Sequence, residues 1–526
     1  MEADAAFQNS YQPVTTGLSC LPFEKRTLLL HSMCLLLLSL ENYNAYTRVL
    51  LLHVASSLHV PLHALSNDEE RLARALSQAM TDLTAEDPAP KKGEENKVPR
   101  RGRPGPAGPL GANGGLPVAL GTAGIGTVAG GASLGRGAAA GLLGGMSDSP
   151  FVHGTLFGLY GGRGAGKMME SYTRDIADIA LLPLHGGVST PFREARAVPT
   201  GDRRLRIIIA ASGWVGSGDD ILAPWQFLGH QSEAYVWRWE GEALVRMGDA
   251  LETVLKSAAW SMAKKDIEPA NSLSGAARCS TGAPVFASLL GDTWPSSLLR
   301  ISKIIDGPWS VGMVRADKAG LVLADALLNK IQGERGVNLV GYGLGARVIY
   351  TCLMSLAERR VFGVVESVVL MGAPAPSDAR SWSALRSVVA GRLVNVFSGN
   401  DYLMGFLYRT SSIVFGVSGL QRIEGVAGVQ NVDATDLITA HLRYRHVTGR
   451  ILKNIGWEDV ILAQVSRDEE TLRRIEAKLA EDERKRECLK APEQESAVAQ
   501  LDSAKKKKKQ RRNREANKKE TTRFAK

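Results

Sequence analysis

The stretch that decides the fold is VNLVGYGLGARVIY, residues Val337–Tyr350. A short, mostly apolar run ends at Val340, a turn with alternating glycines covers Gly341–Gly345, and helix-forming residues begin at Ala346. A strand that turns sharply into a helix between two glycines is typical of a nucleophile elbow, whose middle residue projects a catalytic hydroxyl above the sheet. The middle residue here is Gly343, so the pattern predicts the elbow without the hydroxyl.

Short apolar runs alternate with helical stretches on both sides of this turn, from about residue 204 onward. This alternation is typical of a parallel sheet with crossover helices, and strands buried on both faces read as continuous apolar runs. For residues 190–456 we predict an α/β fold, an α/β-hydrolase-like parallel sheet with flanking helices. The predicted strands are Leu205–Ala210, Ala234–Trp237, Val337–Val340, Ser367–Met371, Leu393–Phe397 and Val429–Val432.

An acid and a histidine follow the elbow in the chain order that an α/β hydrolase requires, each after a later strand. Asp401 closes the segment LVNVFSGND, and His441 follows the last short strand, with His446 as its alternative. In isolation, Asp401 would be read as a turn residue and His441 as an ordinary core or surface histidine. Their order and placement favour the positions of a catalytic acid and base.

The loop after the first strand, ASGWV, is the predicted oxyanion-hole loop. Gly213 permits close backbone approach, and we expect the oxyanion-hole positions to be Gly213, Trp214 and Leu344, the residue after the elbow. Ser212 lies in this loop and Cys352 lies about two helical turns beyond the elbow, so neither is expected to replace the missing nucleophile.

Upstream of the sheet, the chain divides by composition into three segments. Residues 20–85 have helical apolar spacing, and 86–115 read as a flexible linker rich in Pro, Gly and charge. Residues 116–166 are glycine-rich, with a four-residue glycine period that lets helices approach closely in lipid. We predict a transmembrane hairpin of roughly 116–135 and 139–162, with both chain ends cytoplasmic because basic residues flank it. The alternative is a buried or peripheral hairpin.

Several other signals are weak or negative. The stretch GGRGAGKM, beginning at Gly161, resembles a phosphate-binding loop, but Met168 replaces the Ser or Thr that would bind Mg²⁺ and no strand precedes it. The five cysteines lack metal-ligand spacing, so no cofactor and no metal site is expected. The formal net charge is +10, but the final 26 residues alone carry 12 Lys or Arg against three Asp or Glu. Basicity of the folded body therefore gives no reason to expect a specific nucleic-acid partner.

The C-terminal region reads as a charged helix or short coiled coil over 457–490, followed by a disordered basic tail over 491–526. Val465, Leu472 and Leu479 are seven residues apart, which is too short a repeat to decide between a coiled coil and a solvated helix with one docking stripe. The expected partners are membrane lipids, a lipid or ester ligand, and proteins that bind this helix. The tail is either simply solvated or attracted to an anionic cytoplasmic leaflet.

A family resemblance is carried by the stretches Ser212–Trp214, Trp294–Leu299, Ile304–Trp309, Gly341–Tyr350, Asp401–Leu403 and Ala440–Arg443, and also by Ser39–Leu58 and the glycine-rich hairpin. Together they resemble the transmembrane and coiled-coil domain-containing protein 4 family, also called domain of unknown function 726. The resemblance covers roughly residues 25–455 and implies an α/β-hydrolase-like fold and membrane association. The family's elbow looks like G-[FY]-S-L-G-A-R, so Gly343 stands where its serine stands.

We therefore predict a membrane-associated α/β-hydrolase-fold protein that is catalytically impaired and acts as a lipid- or protein-binding scaffold. The first alternative is an active membrane-associated esterase or lipase that uses an unorthodox nucleophile or water, because Asp401 and His441 are present. The second alternative is a structural membrane adaptor that works through its C-terminal helix and basic tail.

Overall fold

The computed structural model of the chain describes residues 7–40, 43–86, 156–157, 176, 178–186, 199–216, 221–257, 296–411, 416–482 and 484–485. The predicted linker, nearly all of the predicted membrane hairpin and the basic tail lie outside these ranges. The chain divides into two compact units, residues 1–465 and residues 466–526.

One sheet organises the larger unit, and its described strands run in the order β1-β3-β2-β4-β5-β6-β7. Every neighbouring pair is parallel except β1 with β3, which is antiparallel. β2, β4 and β5 are buried along their whole length, as expected for central strands covered on both faces. The strands are β1 Ile179–Pro183, β2 Ile207–Ala211, β3 Glu233–Trp239, β4 Val337–Tyr342, β5 Val365–Met371, β6 Leu393–Phe397 and β7 Val429–Asp433.

The predicted mixed α/β class is confirmed, and each of the six predicted strands coincides with an observed strand to within a few residues. The sheet also contains β1, which precedes the predicted boundary at residue 190. Its five residues, IALLP, form an edge strand paired on one side, and so short an apolar run has no periodicity that distinguishes it from its surroundings.

Helices cover the sheet and connect its parallel strands. α5 packs along α6, and the two backbones approach so closely that a Cβ on Gly320 would lie 2.5 Å from the Val348 carbonyl oxygen. The helices are α1 Phe23–Ser39, α2 Ala45–Ser57, α3 Leu62–Glu86, α4 Gly241–Lys256, α5 Ser296–Leu328, α6 Leu344–Glu358, α7 Ala379–Val388, α8 Tyr402–Ser411 and α9 Tyr444–Asn454.

The predicted N-terminal helical region is the helical bundle α1–α3, which has its own hydrophobic core. Leu156 and Phe157 belong to the same core cluster, and the Phe157 ring lies between the guanidinium groups of Arg203 and Arg335, at 5.2 and 5.1 Å. These two residues fall inside the second predicted membrane segment, 139–162. Leu156 and Phe157 therefore lie in protein core, because apolar and cationic side chains of the folded body contact them.

Within the described part of the chain, every helix is too short or too polar to cross a bilayer. In the smaller unit, residues 466–482 and 484–485 are helical and carry exposed ion pairs four residues apart, such as Arg474 with Glu470. The helix predicted in this region is thus observed, whereas a coiled-coil partner remains a prediction.

A buried ion network joins the bundle to the amino-terminal ends of the strands. The Arg48 guanidinium in α2 contacts Glu69 of α3 at 2.9 Å, Glu366 of β5, and Glu458, also at 2.9 Å. Arg48, Glu69 and Glu366 are each 2% exposed. Arg48 thus contacts carboxylates from three segments that are distant in sequence, and Arg206 also contacts Glu458, at 2.8 Å.

We predict that Arg48→Met lowers the free energy of unfolding by about 3–5 kcal/mol, because it leaves buried carboxylates without their cation. Chemical denaturation of the full chain measures this change. The matched control is Arg246→Met, whose ion pair with Glu242 is exposed on α4, and it should change stability by less than about 0.5 kcal/mol. Equal effects of the two substitutions would contradict the structural role of the network.

The network also makes stability depend on acid pH. Burial raises the pKa of Glu458, but the charges of Arg206 and Arg48 lower it more, so the pKa lies below its usual value. A lowered pKa in the folded state stabilises the protein above the unfolded value of about 4.3, and this contribution is lost as the pH falls further. We expect stability below about pH 4 to fall more steeply in the natural chain than in Glu458→Gln, as measured by denaturation against pH.

Candidate functional site

The turn between β4 and α6 has the geometry that its sequence predicts. Gly343 adopts φ +55° and ψ −128°, a backbone conformation that residues with a side chain seldom adopt. Its N–H donates a hydrogen bond to the Met371 carbonyl at 2.9 Å, which fixes the turn against the end of β5. The protein therefore has the backbone conformation of an elbow at a residue that has no side chain to present, and glycine adopts this conformation without strain.

The two flanking glycines allow this turn to pack tightly. A Cβ on Gly345 would lie 2.1 Å from the carbonyl oxygen of Ala211, at the end of β2. A Cβ on Gly341 would lie 2.9–3.0 Å from the backbone of Gly345 and Ala346, at the start of α6. Both positions exclude any larger residue, so these glycines serve the fold as well as the site.

Asp401 and His441, predicted from chain order alone, form a buried pair. The Asp401 Oδ2 lies 2.6 Å from the His441 Nδ1, and the two residues are 0% and 4% exposed. The other carboxylate oxygen of Asp401 accepts a hydrogen bond from the Met404 N–H in the first turn of α8. Asp401 pairs with His441 rather than with the alternative, His446.

The remaining ring nitrogen of the histidine faces the elbow. A Cβ built on Gly343 would lie 3.1 Å from the His441 Nε2. A hydroxyl one bond beyond such a Cβ would be within hydrogen-bonding reach of that nitrogen. The structure thus brings together the acid, the histidine and the empty side-chain position of residue 343.

The loop after β2 lies against the same turn. A Cβ on Gly213 would lie 2.4 Å from the Tyr342 carbonyl oxygen and 2.7 Å from the Leu344 nitrogen. The Trp214 carbonyl accepts a hydrogen bond from the Tyr342 hydroxyl at 3.2 Å, which holds the loop in place. Gly213 and Leu344 therefore lie beside Gly343, while Trp214 contacts the side chain of Tyr342, the residue before it.

Neither alternative nucleophile is presented to this site. The Ser212 hydroxyl accepts a hydrogen bond from the Trp225 indole at 2.9 Å and is fully buried. Cys352 is also fully buried in α6, and burial raises the pKa of its thiol well above the usual value. Both side chains are therefore buried in the interior of the fold.

Two residues near the site escaped the sequence analysis. The Tyr444 ring packs edge-on against the His441 ring, with centroids 5.7 Å apart, and its burial raises the pKa of the phenol. The Arg347 guanidinium in α6 contacts the Asp317 carboxylate of α5 at 2.7 and 3.0 Å, which fixes the helix that follows the elbow. Tyr444 follows His441 by three residues and Arg347 lies in the elbow motif, but no spacing rule indicated their partners.

We predict that Gly213→Ala destabilises the protein by more than about 2 kcal/mol and distorts the site, because its methyl group would clash with backbone atoms on both sides of Gly343. Gly201→Ala is the matched control, since nothing lies within 4 Å of a Cβ at that position. Thermal unfolding of both variants measures the difference. Equal unfolding temperatures would show that the loop does not pack on the elbow as described.

A scan against protein-family models matches residues 105–458 to the family described as protein of unknown function (DUF726). This match covers more than half of the chain. The chain belongs to the DUF726 family. The match includes every strand of the sheet, the elbow and the Asp401–His441 pair, so the candidate site lies within the part of the chain that defines a DUF726 protein.

Three curated relatives illustrate the family. An uncharacterized membrane protein of Schizosaccharomyces pombe is 31% identical over 84% of this chain and 74% of its own length. The transmembrane and coiled-coil domain-containing protein STS1 of Oryza sativa is 35% identical, over 56% of this chain and 42% of its own length. The probable lipase MIL1 of Saccharomyces cerevisiae is 32% identical, over 56% of this chain and 25% of its own length. No solved structure matches the chain.

Proposed function

We propose that this DUF726 protein is a membrane-associated member of the α/β-hydrolase fold that binds the acyl or ester group of a lipid and has lost covalent turnover. The observation that carries the proposal is the His441 Nε2 directed at the empty side-chain position of Gly343. The strand order, the elbow geometry and the acid-then-histidine order all agree with the α/β-hydrolase fold.

A carbonyl group of a ligand would fit the backbone N–H groups and the histidine that remain at the site. Backbone N–H groups beside an elbow are suited to a carbonyl oxygen, and the residue after the elbow and the loop of Gly213 supply them in this fold. In the first step of serine catalysis, a hydroxyl attacks the carbonyl carbon while the histidine accepts its proton. Gly343 has no oxygen to attack with, so this step cannot begin. A bound ester then remains intact unless another nucleophile enters.

Water is the nucleophile that a second candidate function would use. Apart from Gly343 and its two chain neighbours, the described atom nearest to the Cβ position of Gly343 is the His441 Nε2, at 3.1 Å. A water molecule there would attack the carbonyl carbon while His441 accepts its proton and returns it to the departing alkoxide. This hydrolysis would yield an acid and an alcohol without an acyl-enzyme.

Membrane association is supported by the relatives, since the fission yeast protein is named a membrane protein and the rice protein a transmembrane protein. The name of the budding yeast relative, a probable lipase, agrees with a lipid ligand. Within the larger unit, α3 ends at Glu86 and the next described residues, Leu156 and Phe157, return to the same bundle core. This return supports the proposed placement of both chain ends on one side of the membrane.

Restoring the missing hydroxyl tests the proposal. We predict that Gly343→Ser gains hydrolysis of a water-soluble short-chain ester by on the order of 10²-fold, part of the roughly 10⁶-fold that a complete triad supplies. Ester hydrolysis by the full chain, followed by product absorbance, measures the gain. The serine would hold a strained φ at a cost of about 1–3 kcal/mol, so thermal unfolding must confirm that the variant is folded.

Two matched variants separate the outcomes. Gly343→Ala carries the same backbone strain without the hydroxyl and should stay inactive, and Gly343→Ser combined with His441→Ala should lose the gain. If the natural chain already hydrolyses the ester and both His441→Ala and Gly343→Ala abolish this activity, the water mechanism is correct. That result would overturn the proposal of lost turnover.

A further inference from the structure

One face of α5 exposes aliphatic side chains that the folded body leaves uncovered. Val311, Val314 and Leu321 are 50%, 58% and 45% exposed. They are separated by three and seven residues, which places them on one side of the helix. Lys303 and Lys318 are exposed at positions that continue the same side. We call these five residues the α5 face.

The two charged residues of the α5 face are both basic, and the nearby Asp317, whose side chain is 40% exposed, is paired with a cation. The aspartates of α5 between its two lysines, Asp306 and Asp317, are only partly exposed. Asp317 is also neutralised by its ion pair with Arg347 at 2.7 Å. An anionic surface would therefore meet cations and apolar groups on this side of the helix.

The composition of the face favours a lipid surface over a protein. Protein interfaces are enriched in Trp, Tyr, Phe, Met and Arg and depleted in Lys, whereas the α5 face has aliphatic residues and lysines. Aliphatic side chains enter the boundary of the acyl chains, and lysines attract anionic headgroups. We propose that the α5 face docks on an anionic lipid surface, an inference that rests on the proposed lipid-directed function.

The location of the face links it to the candidate site. The opposite side of α5 packs on the elbow helix, where a Cβ on Gly312 would lie 2.7 Å from a methyl group of Leu344. Leu344 directly follows Gly343. A bilayer that contacts Val311 and Val314 would therefore lie one helix away from Leu344 and Gly343, on the far side of α5. Three half-exposed side chains make a weak contact, so the face orients a protein that is attached by other means.

A probe on the face tests this docking in the full chain. Val314→Cys is labelled with an environment-sensitive fluorophore after Cys20, Cys279 and Cys488 are replaced by Ser. Cys34 and Cys352 are kept because they are fully buried. The matched control is Phe362→Cys, because Phe362 is 52% exposed and lies at the amino-terminal end of β5. The protein is mixed with vesicles of phosphatidylcholine, with or without phosphatidylserine.

We expect the probe at residue 314 to shift to the blue and to be shielded from iodide on vesicles that contain phosphatidylserine, while the probe at residue 362 does not respond. Lys303→Gln with Lys318→Gln should lower the ratio of docked to undocked protein by about fivefold per lysine. Equal iodide access at both positions on both vesicle types would overturn the proposal. Shielding at residue 314 before vesicles are added would overturn it as well, because a protein segment or second copy would then cover the face.

The outcome of this test is independent of the outcome of the test of the proposed function. Hydrolysis of a soluble ester by Gly343→Ser requires no vesicles, so that gain can be observed whether or not the α5 face docks. If the α5 face docks but Gly343→Ser gains no hydrolysis, the proposal for the α5 face stands and the proposed function of the site at Gly343 is wrong.

Discussion

The close approach of the 341–345 backbone to the end of β2 is the constraint on which the site depends. Gly345 touches the Ala211 carbonyl, Gly213 touches the backbone around Gly343, and neither contact leaves room for a Cβ. This packing holds residue 343 at φ +55°, a conformation that glycine adopts without strain and other residues seldom adopt. The same packing brings the loop of Gly213 close to the Leu344 nitrogen, which are the two places where an oxyanion hole is expected in this fold.

The two ends of the sheet have different roles. The carboxyl-terminal ends of β4 and β6, with the loop after β7, place the elbow, Asp401 and His441 at one edge, where parallel sheets generally hold their ligands. The amino-terminal ends meet the helical bundle through the buried network of Arg48. Fixing the sheet from its amino-terminal end leaves the opposite edge available for a ligand.

The sequence alone predicted the central strands, the elbow and the order of acid and histidine, because each depends on local pattern and on chain order. It did not predict β1, a five-residue edge strand with no periodic signal. Nor did it predict the Arg48 network, since Glu366 and Glu458 are 318 and 410 residues away from Arg48 and no spacing rule reaches so far. The burial of Phe157 between two arginines was missed because a glycine-rich apolar segment was interpreted as lipid-facing along its whole length.

The central claim, that this site lacks a nucleophile and nothing else, is tested most directly by the intact mass of the protein after treatment with a fluorophosphonate. Such reagents bond to a serine that a neighbouring histidine activates. The account predicts no adduct on the natural chain, one adduct on Gly343→Ser at residue 343, and none when His441→Ala is added. An adduct on the natural chain, at Ser212 or elsewhere, or the absence of one on a folded Gly343→Ser variant, would contradict the account.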